Sequence, residues 1–187
     1  RYRPMIYLAV FSGLRPSEYR GLTWDNVTQE GITVSQRADQ KGRIGPVKSK
    51  AGKRTIYLPR IVTDMIFEWK PHCPDSVLNL VFPTKTGKPQ LLGKIRMHAW
   101  LPLLQEAGLI TNVTENGKII KKPKYKMNCL RHYFASKLIE KGTNAKFIQK
   151  VMGHSSIEIT YNVYGHLIEG RDKIYQDSAE ELAADIL

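Results

Sequence analysis

Residues 128–164 read NCLRHYFASKLIEKGTNAKFIQKVMGHSSIEITYNVY, and this stretch decides the fold. Leu130, Phe134, Leu138 and Ile139 share one face at helical spacing, and Gly142 closes that helix. A second helix, Thr143 to Met152, buries Phe147, Ile148 and Val151 and stops at Gly153. Ser155-x-x-Glu158 then has the form of a capping box for a third helix running toward Tyr164. His154 is thereby held between a helix stop and a helix start.

Moving toward the N-terminus, Asn116-Gly117 lies between Thr111 to Thr114 and Lys118 to Ile120, a two-residue hairpin signal. Five lysines (118, 121, 122, 124 and 126) follow within nine residues; they read either as a solvated loop or as a phosphate-contacting one. A helix over about 94–107 is interrupted or begun late because of Pro102, and residues 71–92 read as loop. Pro59 opens a helix carrying Ile61, Val62, Met65, Ile66 and Trp69. Between residues 31 and 58, β-prone segments around Ile32, Val34, Val47, Ile56 and Leu58 alternate with Gly42, Gly45-Pro46 and Ala51-Gly52. These predict a small antiparallel sheet.

At the start of the chain an apolar helix from about Pro4 to Ser12 ends at Gly13. Pro16 suits the first position of the next helix, with Glu18 in its first turn and Leu22 and Trp24 on its core side. Arg15 falls at the junction, and a residue before proline is pushed toward extended geometry, so its side chain leaves the helix path. The fold class is α+β, mainly helical with a small antiparallel sheet near residues 31–58. Residues 1–170 read as one domain. Residues 171–187 form a separate tail, in which Tyr175, Ala179, Leu182 and Ile186 make an amphipathic helix with acids on its other side.

The charge is unevenly distributed. The 187 residues hold 29 Lys+Arg against 17 Asp+Glu, a formal net charge of +12, and the acidic tail leaves the remaining body more basic still. Such a balance points to a polyanion, nucleic acid foremost. Cys73 and Cys129 lack paired spacing, so neither a metal site nor a disulfide framework is expected, and a reducing cytosol fits them. No apolar run reaches the length of a membrane span. The chain enters at once on a helical pattern, which suggests a piece of a longer protein.

Four segments occur in one order: Gly-Leu-Arg-Pro-Ser-Glu at 13–18, Ser-Lys-Ala-Gly-Lys-Arg-Thr-Ile at 49–56, Leu-Arg-His-Tyr-Phe-Ala-Ser at 130–136, and Gly-His-Ser-Ser at 153–156 followed by Tyr164. In this the chain resembles the tyrosine recombinase family, particularly the integrases of bacteriophages and conjugative elements, over roughly residues 3–168. The resemblance implies a catalytic domain that normally follows a separate N-terminal DNA-binding domain. It implies cleavage and rejoining of DNA through a 3′-phosphotyrosyl intermediate, with Tyr164 as nucleophile and Tyr161 as core or spectator. Arg15 and Arg131 become the phosphate-binding pair. That role suits them physically, because attack at a phosphodiester gathers charge on nonbridging oxygens and planar guanidinium groups bind such oxygens in bidentate fashion.

Lys50 matches the family's hairpin lysine, a general acid for the departing 5′ oxygen, with Lys48 and Lys53 as competing assignments. His154 matches the histidine that assists at the phosphate. Asn128 departs from the pattern, standing where the family usually has His or Lys. An asparagine can donate a hydrogen bond but cannot exchange a proton near neutrality. The alternatives there are tolerance of Asn, a slowed step, or recruitment of the adjacent His132, which reads as structural. Lys48, Lys53, Arg54, Lys121, Lys122 and Lys124 are the DNA-contact candidates.

Neither a metal nor another cofactor is expected, since cationic side chains supply the charge stabilisation. The implied partners are double-stranded DNA, a homotetramer on two DNA sites with the tail docking in cis or in trans, and accessory DNA-bending or directionality proteins. The implied setting is a bacterial, DNA-associated protein in the cytoplasm. Two rival readings stay open: a type IB topoisomerase-like enzyme that religates the original strand, and a DNA-binding regulator with impaired catalysis.

Overall fold

The computed structural model of the chain describes residues 1–115 and 118–169. The helices are α1 (Tyr2–Ser12), α2 (Pro16–Arg20), α3 (Arg60–Trp69), α4 (Leu92–Ile95), α5 (Leu101–Glu106), α6 (Cys129–Glu140), α7 (Ala145–Met152) and α8 (Ile157–Glu169). Strands β1 (Gly31–Val34) and β4 (Arg54–Tyr57) pair antiparallel, as do β2 (Gln36–Ala38) and β3 (Ile44–Pro46) and, farther along, β5 (Ile110–Glu115) and β6 (Lys118–Pro123). The expected sheet at 31–58 is present as two short ladders. The hairpin strands at 110–123 are present too, while the Asn116-Gly117 turn and the 171–187 tail lie outside the described residues.

Two apolar clusters hold these elements. In the larger, Met5 and Leu8 of α1, Val62 and Ile66 of α3, Ile32 and Val34 of β1 and Ile56 of β4 meet Val81, Phe82 and Ile95. In the smaller, Ala135 and Ile139 of α6 pack with Ile148 and Met152 of α7 and with Tyr164 of α8. Helix α1 lies against both α3 and α6, so it joins the clusters. The segments that carry polar chemistry lie at the ends of elements anchored in these cores.

Three local expectations differ from the observed chain. The second helix stops at Arg20, because the next backbone groups pair sideways: Trp24 N–H donates to Asn79 O and Val81 N–H to Leu22 O. Leu22 is buried all the same, from a loop rather than a helix. The helix near Pro102 is neither broken nor late. It starts at Leu92 and passes through a π turn at Arg96–Trp100, a wider ladder that accommodates a proline lacking its N–H. Finally, α8 begins at Ile157, so the residue at the cap position is Ser156 rather than Ser155.

Candidate active site

The site is assembled around the C-terminal end of α7. Carbonyls of a helix's last turn have no partner within the helix and form its negative pole. Here three arginines bind them. Arg54 Nε donates to Val151 O (2.5 Å), Arg131 Nη2 to Met152 O (2.6 Å), and Arg15 Nη2 to Gly153 O (3.3 Å). Arg131 Nη1 also donates to Gly13 O, tying the end of α1 to the same point. Gly153 has φ 63°, and a Cβ there would stand 2.8 Å from Arg54 Nη1, so both conformation and contact require glycine.

Arg15 occupies the N-cap of α2 with φ −71° and ψ 149°, the extended geometry its proline neighbour imposes. Its backbone N–H donates to Glu18 Oε2 (2.9 Å) and its Nη1 to Glu18 Oε1 (3.0 Å). Gly13, at φ 60°, lets the chain leave α1 directly toward Arg15, and a Cβ there would overlap the Phe134 ring. Glu18 is buried and binds Arg54 from its other side, Nη2 to Oε2 at 3.0 Å. Burial raises the Glu18 carboxyl, yet hydrogen bonding and charge from Arg54, then Arg15, outweigh it and hold it below the usual range.

Arg54 thus departs from the expectation of a DNA contact. Its side chain is 3% exposed and its guanidinium is engaged inside the protein. A buried guanidinium without such partners would be strongly destabilising.

His154 follows directly, buried, with its backbone N–H bonded to Gln149 O and its Nδ1 2.9 Å from Thr160 Oγ1. Burial, reinforced by the charges of Arg131, Arg15 and Arg54, pushes its pKa down to about 4. The imidazole is therefore neutral near pH 7 and can accept as well as donate a hydrogen bond. Arg131 is pushed down to about 10, first by burial and then by Arg15, and stays charged at neutral pH.

Tyr164 projects from α8, its ring packed in the smaller core cluster and its residue only 3% exposed. Its oxygen lies 3.1 Å from His132 Nδ1, and His132 Nε2 lies 2.9 Å from Asn128 Nδ2. Burial raises the phenol pKa while the charges of Arg131 and Arg15 lower it, with a net rise. Tyr161, expected as core or spectator, is exposed and does not line the cleft.

Arg15, Asn128, Arg131, His132, His154 and Tyr164 line a single cleft of about 790 Å³. Lys48, Arg37 and Lys41 line it as well. Lys50 and Lys53 are exposed on the 48–53 loop outside the cleft lining. Lys121 and Lys122 lie on β6, where Lys121 Nζ reaches Gln105 Oε1 (3.3 Å). Lys124 follows that strand and stacks over Tyr125. These three stand apart from the cleft. Among the described residues, no group of three or more His, Cys, Asp or Glu side chains is placed to hold a metal ion.

One participant, Glu18, was absent from the expected site, and a second, His132, stood there only as an alternative at the Asn128 position. Glu18 was legible only as a first-turn acid, although its position three residues after Arg15 is the spacing that lets it brace that arginine. His132 sits four residues after Asn128, one helical turn, and that spacing is the signal that they touch.

The model of the phage integrase family matches residues 1–171. The chain belongs to the phage integrase family. Its similarity extends to a tyrosine recombinase XerC-like protein of Caldanaerobacter subterraneus, 26% identical over 90% of this chain and 46% of that one. It extends also to an integrase of Streptomyces ambofaciens, 27% identical over 85% of this chain and 42% of that one. This integrase-family chain spans about half the length of the curated relatives it matches. Among solved structures, the integrase of the Tn1549 transposon in complex with transposon right-end DNA superposes with TM-score 0.74 and 25% identity, covering 96% of this chain and 58% of that one. The XerH recombinase, at 21% identity and TM-score 0.66, shares the fold, covering 96% of this chain and 45% of that one.

Proposed function

We propose that this chain is the catalytic part of a site-specific DNA recombinase that cleaves and rejoins strands through a 3′-phosphotyrosyl intermediate. The observation that carries the reading is the convergence of the Tyr164 oxygen, two guanidinium groups and a neutral His154 in one basic cleft. Arg15 and Arg131 bind the nonbridging oxygens of the scissile phosphate. Their bonds to the carbonyls of Met152 and Gly153, with that of Arg131 to Gly13, hold them in place before substrate arrives, so little reorganisation is needed at the moment of reaction. The Tyr164 oxygen bonds to phosphorus as the bond to the 5′ oxygen breaks, and the energy is kept in the phosphotyrosyl link for rejoining. His154 hydrogen-bonds a phosphate oxygen. The departing 5′ oxygen takes a proton from an ammonium of the 48–53 loop: the family resemblance assigns Lys50, and the cleft geometry favours Lys48.

The named relatives are recombinases and integrases, which supports strand exchange over religation of the same strand. The partner is double-stranded DNA, with a homotetramer on two sites, accessory DNA-bending or directionality proteins, and residues 171–187 as the segment that docks on a neighbour. A DNA substrate nicked beside its cleavage site tests the chemistry, because the cleaved fragment diffuses away and traps the adduct. The chain should form a covalent DNA adduct, and Tyr164→Phe should abolish it while Tyr161→Phe leaves it intact. An adduct that survives Tyr164→Phe, or none with the native chain, refutes the reading.

A further inference from the structure

Asn128, His132 and Tyr164 form a chain of contacts that the four matching segments do not explain. Asn128 Nδ2 is 2.9 Å from His132 Nε2, and His132 Nδ1 is 3.1 Å from the Tyr164 oxygen, with the two rings tilted at 59° and 5.8 Å between centroids. Asn128 and His132 are one turn apart at the start of α6, and Arg131 between them supplies the buried guanidinium. The first turn of one helix therefore presents both a phosphate-binding group and a group in contact with the nucleophile.

The direction of these bonds follows from their donors. An amide nitrogen can only donate, so Asn128 Nδ2 must meet a lone pair on His132 Nε2. A neutral imidazole with a bare Nε2 carries its hydrogen on Nδ1. That N–H points at the Tyr164 oxygen. A phenol oxygen accepts a hydrogen bond more strongly as it loses its proton, so the bond strengthens as the nucleophile forms.

Resting on the function proposed above, we propose that His132 is a further catalytic residue, donating Nδ1–H to the Tyr164 oxygen and stabilising its phenolate, and that Asn128 is the positioning residue that fixes the tautomer. In the step itself, the phenolic proton leaves to solvent, the Tyr164 oxygen bonds to phosphorus, the bond to the 5′ oxygen breaks, and that oxygen takes the loop ammonium's proton. His132 gives up no proton in this step. Asn128, which stands where the family usually has a proton-exchanging side chain, acts here without exchanging one. Burial of the phenol makes the donor matter, since it opposes the ionisation that attack requires.

The test is single-turnover cleavage of the nicked substrate across pH 6 to 10 by the full chain. His132 Nδ1 touches the Tyr164 oxygen and the charges of Arg131 and Arg15 act on it, while the other titratable or charged groups lining the same cleft are Arg20, Arg37, Asp39, Lys41, Arg43, Lys48 and His154. The comparison therefore changes His132 and Asn128 alone. His132→Ala should slow cleavage at pH 7 by about 10- to 100-fold and move the rising limb of the profile about one pH unit alkaline. Asn128→Ala should shift it in the same direction by less. His132→Asn, whose amide N–H replaces Nδ1–H, should restore most of the rate and the native limb. An ultraviolet phenolate titration, with Tyr164→Phe subtracted, should show the Tyr164 midpoint rising in His132→Ala.

A native rate in His132→Ala, a slowed rate with an unmoved limb, or a His132→Asn variant as slow as His132→Ala would each overturn the proposal. An adduct from the native chain with no His132 effect defeats this inference alone. Absence of any native adduct defeats the function on which it rests, and an unmoved titration midpoint still defeats the hydrogen bond itself.

Discussion

Two basic regions meet at the cleft, which Arg15 and Arg131 of one and Lys48 of the other line, and they hold their charge in opposite ways. Arg15, Arg54 and Arg131 are tied to carbonyls 151–153 and, for two of them, to the buried Glu18. Lys48, Lys50 and Lys53 are exposed on a connecting loop, without an ion pair or side-chain hydrogen bond among the described residues. The arginines' geometry is fixed by folding, and it closes the α7 terminus whether or not DNA is present. The lysines' charge has no such partner among the described residues, and in the proposed function it meets one in the DNA backbone. Changes to the first region should damage stability and cleavage together, and changes to the second should separate them.

The strongest way to break that contrast is Glu18→Ala. The substitution leaves the Arg54 guanidinium buried without its counter-ion, and removing one member of a buried pair costs about 3–5 kcal/mol. Urea denaturation should show a loss of that size, and adduct formation should fall with it because Arg15 loses the same brace. A stability change under about 1 kcal/mol would mean that the carbonyl bonds alone carry the arginines, making Glu18 a bystander.

Acid should dismantle the same region. His154 titrates in the folded chain at about 4, below its usual 6.5, so its contribution is complete above pH 6.5 and is lost as pH falls toward 4, where the unfolded chain takes the proton first. Glu18 is also depressed, so its contribution is present above its ordinary value near 4.5 and disappears at lower pH still. The unfolding free energy from urea denaturation should fall between pH 7 and 4 by at most about 3 kcal/mol on account of His154. His154→Gln should flatten that interval and leave the drop below it. If the native chain shows no loss between pH 6.5 and 4, the burial assigned to His154 is wrong.

The sequence revealed these two regions unequally. Arg15 before Pro16, the stops at Gly13 and Gly153, and the apolar faces of α1, α6 and α7 follow from local rules, and they put each site residue near its observed place. The arginine cage did not show itself, because its acceptors are backbone carbonyls, which every residue carries and no letter marks. For the same reason Arg54 read as a DNA contact, since a basic residue beside other basic residues looks exposed until its buried carboxylate partner is placed. The π turn before Pro102 and the short α2 depend on ladder geometry and on pairing with residues 79–81, both set by tertiary packing. His132 was visible as a neighbour of Asn128, but its contact with Tyr164 spans 32 positions and needs α6 and α8 to meet.

The smallest effects on stability belong to the lysine loop, and they sharpen the contrast most. Lys48→Ala, Lys50→Ala and Lys53→Ala should each change unfolding free energy by no more than about 0.5 kcal/mol, as exposed substitutions do. Any of them that touches a phosphate should weaken DNA binding and lower the slope of log affinity against log salt by about one. The one that protonates the 5′ oxygen should slow cleavage by about 10²- to 10⁴-fold. A substrate whose 5′ oxygen is replaced by sulfur separates these roles, because a thiolate leaves without needing a proton. The general-acid variant should then cleave at close to the native rate, while a variant that lost only a phosphate contact should stay as impaired as before. Rescue of Lys48→Ala but not Lys50→Ala would show the cleft-lining lysine to be the acid, and rescue of Lys50→Ala would show that DNA brings the exposed turn into the site. If neither is rescued, the proton comes from outside this loop, and the division between a folded cage that binds charge and a free loop that delivers a proton has to be redrawn.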